Sequence, residues 1–174
     1  MSYKRRAVRE KVMQALYAYE ISGEPIERII DETVTSAFGR DPTSDGVKSQ
    51  KEALAFAKAL IHTVIEHQEE IDSTIKKKVA NWEFNRIAVI DRILLEMGIC
   101  ELLYFEDIPP KVTINEAIEI AKRYSTEKSG QFINGVLDAL LADFKTNGQL
   151  KKSGRGLVET SLHPKEKSSR TTET

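Results

Sequence analysis

Five cations crowd into the opening of the chain. Lys4, Arg5, Arg6, Arg9 and Lys11 are answered over residues 4–11 only by Glu10, a local net charge of +4. Amide groups at a helix N-terminus already present partial positive charge, so a cationic cluster there works against helix stability. Guanidinium and ammonium groups at this density suit an anionic partner, above all the phosphates of a nucleic acid. On charge alone, a solvated helix end accounts for them equally well. Tyr17, projected at about 100° per residue, falls off the apolar side formed by Val8, Val12, Ala15, Leu16 and Tyr19. A large ring near arginines matches what single-stranded RNA needs, since cations hold phosphates and aromatic faces stack bases. The same ring also suits the edge of the core.

Two further positions stand out near the middle and end of the chain. Phe132 lies at the flank of an apolar stripe, beside Asn134 and Gly135. Periodicity fits a ring folded under the preceding loop at least as well as a stacking platform. Asn134 either reads a base edge or bonds backbone. Asp91 places a carboxylate early in a segment that is apolar nearly all round, where an isolated charge is costly to bury. It therefore calls for a cation, from an internal Arg or from another protein.

Enzymatic constellations are missing. His62 and His67 are spaced i, i+5, poorly placed to share a metal from one helix face, and His163 lies near the C-terminus. There is no phosphate-binding glycine loop and no nucleophile elbow, and "SGRG" at 153–156 is too short for a dinucleotide fingerprint. Cys100, the only cysteine, excludes an internal disulfide and a cysteine-based zinc site. The residues predict no catalysis, no metal and no cofactor.

The elements that must position these residues read almost entirely as helix. With 174 residues, 40% hydrophobic and 30% charged, the chain suits one compact domain or two small ones sharing a core. Its net charge of −1 means that any attraction for nucleic acid is local. Neither a bilayer-spanning run nor a signal sequence is visible, which predicts a cytoplasmic protein. Helical periodicity covers about 3–20, 25–38, 50–69, a shorter stretch around Ile71, Ile75 and Val79 that ends near "ANWEFN", then 85–105, 113–124 and 128–145, seven helices in all. Residues 39–50, rich in turn formers, predict a surface loop. Thr113 and Glu116 stand at capping-box spacing, predicting a helix start there. Gly98 inside the apolar segment implies close approach by a neighbouring helix. Residues 146–174 carry few apolar side chains and predict a disordered tail.

Three stretches, "RRAVREKVMQALYAYE", "RIAVIDRILLEMGICELLYFEDIPPKVTINEAIEIAK" and "FINGVLDALL", resemble the NusB family in order and separation. The resemblance spans most of residues 4–145. It implies an all-α fold of two small packed helical subdomains, about 1–80 and 81–145. It also implies a non-catalytic transcription antitermination factor that binds boxA RNA of nascent transcripts, notably those of ribosomal RNA operons. The partner implied is a small-subunit ribosomal protein, NusE, within a complex that includes RNA polymerase and other Nus factors. Carried over residue by residue, Lys4, Arg5, Arg6, Arg9, Phe132 and Asn134 become RNA contacts, and Tyr17 and Asp91 face the ribosomal protein. Lys128 stands where relatives can carry an acidic residue, and the 39–50 loop and the tail extend beyond a minimal member. A fused methyltransferase domain is excluded by length.

Overall fold

The computed structural model describes residues 5–38 and 44–161, and these are helical with short connections. Helix α1 (Arg5–Ser22) is followed by α2 (Ile26–Ile30), which runs through a π-helical turn (Asp31–Thr35) into the short α3 (Ser36–Phe38). Then come α4 (Ser44–Glu66), α5 (Gln68–Val79), the single turn α6 (Asn81–Phe84), α7 (Val89–Tyr104), α8 (Pro110–Tyr124) and α9 (Glu127–Thr146). A 3₁₀ segment (Gly154–Ser161) closes the described chain. Counting α2 through α3 as one helix and α6 as a turn, the described residues form the seven helices that periodicity predicts. None is long and apolar enough to cross a membrane.

Helix α7 is the axis of the fold and packs against α1, α4, α5, α8 and α9. Its sequence explains why. Ile93, Leu94, Leu95, Met97, Ile99, Cys100 and Leu102 surround the axis, and all are buried. Each fully buried Ile or Leu contributes about 1.5–3 kcal/mol relative to exposure. Gly98 faces α9: a Cβ built there would meet Leu137 Cδ1 at 2.9 Å. The close approach that the glycine implied is therefore present.

Three carboxylates ride on this apolar helix, and each is buried. Glu101 is held by Arg9 of α1 and by Thr113 of α8. Glu96 takes a hydrogen bond from Arg92 at 2.9 Å, and Arg92 also pairs with Glu20 of α1. Burial and the neighbouring Asp72 carboxyl outweigh Arg92 and push the Glu96 carboxyl up to about 8. Asp91 has a different partner, the Ser129 hydroxyl of α9.

Several expectations are corrected. Residues 44–50 are not loop but the first turns of α4, while 39–43 lie outside the described residues. Helix α8 starts at Pro110 rather than at the Thr113 capping box. Proline suits a first helical turn because its missing N–H has no intrahelical acceptor to satisfy. Thr113 is thereby placed inside the helix, where it is buried and donates to Glu101 Oε2 at 2.7 Å.

The segment expected to be a disordered tail is, over its described part, a strap across the end of α7. Lys152 Nζ donates to the carbonyls of Glu101 and Phe105 at 3.0 and 2.8 Å, capping the C-terminus of the buried helix. Ser153 N donates to Glu106 O, and Gly156 lies so close that an added Cβ would come within 2.0 Å of that carbonyl. Composition missed the strap because polar and backbone contacts, beside the packing of Leu150, hold it. Residues 162–174 lie outside the described chain.

Candidate nucleic-acid interface

The basic cluster divides into members with opposite environments. Arg9 projects at the border of the apolar stripe of α1, and the packing of α1 on α7 carries it inside. Its side chain is 3% exposed, and Nε and Nη2 donate to the two Glu101 oxygens at 2.6 and 2.9 Å. The guanidinium also lies over the Phe56 ring, 5.1 Å from its centroid. Arg9, expected as an RNA contact, is thus held by a buried carboxylate, which engages its charge. The missed signal was Glu101 itself, since an acid in an apolar helix demands a cation from a neighbour.

Arg6 makes the same fork with a different outcome. Nε and Nη2 donate to the two Glu116 oxygens of α8 at 2.9 Å each, yet its side chain remains 46% exposed. One edge of the guanidinium is held, and Nη1 makes no hydrogen bond within the described chain. Arg5 is exposed and sits 5.3 Å from the Phe56 centroid. Lys4 lies outside the described residues. Farther along the seam between α1 and α8, Arg123 donates to Glu10 and Gln14 to Tyr124. Lys11 turns to Gln14 at 3.1 Å.

Phe132 and Asp91 come together. Phe132 is 37% exposed on α9, and it lines a cavity of about 570 Å³ that Asp91 also lines, with Ser129, Thr126, Lys128 and Arg86. The cavity's wall follows from a helix cap. Thr126 is the N-cap of α9, accepting from Ser129 N at 3.1 Å. This fixes Ser129, whose hydroxyl donates to Asp91 Oδ2 at 2.7 Å. Ser129 has only one hydroxyl proton, so Ser125 and Thr126, at 3.0 and 2.9 Å, donate to its oxygen in turn. Of the two cation sources expected for Asp91, the internal Arg is, among the described residues, replaced by a hydroxyl. Asp91 is 7% exposed, and its Oδ1 is buried with no hydrogen-bond partner.

Asn134 does not share that cavity. Two residues along a helix are about 200° apart, so it faces a separate groove with Lys111, Asn115 and the strap residue Leu157. Tyr17 is exposed on α1, as its position in the helical projection requires. Ile21, one turn on, is more exposed still and was not singled out from sequence. The Glu20–Arg92 pair, reaching from α1 to α7, lies on the same stretch of α1. His62 and His67 serve locally: one sits 3.2 Å from Glu27, and the other stacks on Tyr104 at 4.2 Å.

Comparison with known proteins places these features in context. The model of the NusB family matches residues 6–142. Transcription antitermination protein NusB of Chloroherpeton thalassium is 47% identical over 159 residues, 91% of this chain and 71% of the relative. The fold is similar to T. maritima NusB, with a TM-score of 0.70 at 38% identity, covering 82% of this chain and 94% of that one. It is also similar to a chain in a crystal structure of antitermination factors NusB and NusE in complex with dsRNA. There the TM-score is 0.67 at 28% identity, covering 80% of this chain and 96% of that one.

Proposed function

Since the chain belongs to the NusB family, we propose that it is a non-catalytic, RNA-binding transcription antitermination factor that engages boxA RNA together with ribosomal protein NusE. The observation that carries this is its likeness, over 80% of its length, to a protein crystallised with NusE and dsRNA. The exposed cations and ring give that function a physical basis. Arg5 and Arg6, with Lys4 before them, hold phosphates, and Phe132 offers a face for a base. Tyr17 with Ile21 supplies an exposed apolar pair for the protein partner. The setting is cytoplasmic, on nascent ribosomal RNA transcripts, with RNA polymerase and the other Nus factors.

The rival is a helical scaffold whose cluster binds acidic side chains of proteins. Titrating a boxA-type single-stranded RNA against salt, with and without NusE, separates the two. Three phosphate contacts give a slope of about −2 in log affinity against log salt, and NusE should tighten binding. Salt-independent or absent RNA binding in both arms would leave the scaffold standing.

A further inference from the structure

The cavity between α9 and the start of α7 has chemistry more specific than a stacking surface. Its volume lies within the range of about 300–1,000 Å³ found for small-ligand pockets. An exposed aromatic ring, Phe132, forms one side. Arg86, Lys128 and Glu83, all exposed, put charges of both signs beside it. Asp91 brings in a carboxylate that is more than nine-tenths buried. One of its oxygens is engaged by Ser129, and the other has no partner. A buried acceptor left unpaired costs stability, so a ligand that donates to it gains more there than on open surface.

We infer that this cavity is a base pocket that selects guanine, with Phe132 stacking the ring and Asp91 accepting from its Watson–Crick edge. The assignment rests on the RNA-binding function proposed above. The choice of base follows from donor order. Guanine alone presents two adjacent donors, N1–H and the 2-amino group, to a carboxylate that has no proton to give. Uracil flanks its single N3–H with two carbonyl oxygens, which Asp91 repels. Adenine and cytosine each place a ring-nitrogen acceptor next to the amino group. Lys128 then lies beside the cavity to meet a phosphate of the same nucleotide. A protein cation would also satisfy Asp91, and loss of NusE binding by Asp91→Asn with every RNA spared would mark that case.

The test uses the full chain and uridine-only RNAs carrying one central guanosine, inosine or adenosine, read by fluorescence anisotropy at fixed salt. Inosine lacks the 2-amino donor, and adenosine turns N1 into an acceptor. Guanosine RNA should bind about tenfold tighter than either. Asp91→Asn, checked by thermal melt, should erase that preference. Phe132→Ala should weaken all the RNAs together. Equal binding of guanosine and inosine by the unaltered chain overturns the inference without needing any variant. So does an Asp91→Asn protein that keeps the preference. If that variant spares every RNA but loses purified NusE, the carboxylate belongs to a protein cation, and the inference is again overturned. Loss of salt-dependent binding to every RNA in the unaltered chain is a distinct result, which removes the RNA function itself.

Discussion

Arg6 and Arg9 stand three residues apart on one helix, and each forks onto a glutamate of another helix with near-identical geometry. Their surroundings differ. The Arg9–Glu101 pair is buried between α1, α7 and α8, whereas Arg6–Glu116 lies along an open seam. Exposed pairs are screened and contribute about 0–1 kcal/mol, while a buried pair leaves a costly orphan charge if broken. Residue type and motif therefore do not fix a role. Burial makes Arg9 part of the scaffold and leaves Arg6 an edge with which to meet an anion.

The sharpest way to break this comparison is at Arg9. Arg9→Ala should lower stability by about 3–5 kcal/mol in a urea titration, because Glu101 is left buried and unpaired. Replacing Arg9 and Glu101 together by methionines should restore much of the loss. If Arg9→Ala unfolds at the same urea concentration as the parent, the pair is not structural.

Glu96 and Glu101 extend the comparison along α7. The Glu96 carboxyl is raised by burial and by Asp72, with a folded value of about 8 above an ordinary 4.5. A raised acid stabilises the fold in its protonated form. That contribution is complete below about pH 4.5 and is lost as pH rises through about 8. Stability should therefore fall on the order of 3 kcal/mol from pH 5 to pH 8. Glu96→Gln, which mimics the protonated acid, should flatten the profile. An unchanged pH profile in that variant would point to another group.

Lys152 is a smaller case of a cation engaged inside the fold. Lys152→Met removes two hydrogen bonds to the end of α7 and should cost about 1–2 kcal/mol in a thermal melt. Deleting residues 149–174 should do at least as much, and no change in either protein would return the strap to the status of a tail.

The smallest effect on stability is expected at Arg6. Arg6→Ala should change it by no more than about 1 kcal/mol. It should also reduce the salt slope of RNA binding by about 0.7, the share of one phosphate contact to a single strand. A stability loss as large as that of Arg9→Ala would erase the distinction between the two arginines.

The all-helical class, the central position of α7 and the close contact at Gly98 were legible in the sequence. Hydrophobic periodicity is local, and an apolar segment without a polar face has to be central. The exposure of Tyr17 followed from the same projection. What the sequence left open were partners far apart in the chain. Arg9 and Glu101, Asp91 and Ser129, and Lys152 and the α7 carbonyls are separated by 92, 38 and about 50 residues. No periodicity reports such pairings. Only packing decided that Arg9 is buried, that Thr113 serves Glu101 rather than capping α8, and that Phe132 shares its cavity with Asp91 and not with Asn134. Helix type is set by neighbours in sequence, whereas the environment of a charge is set by whichever helix folds against it.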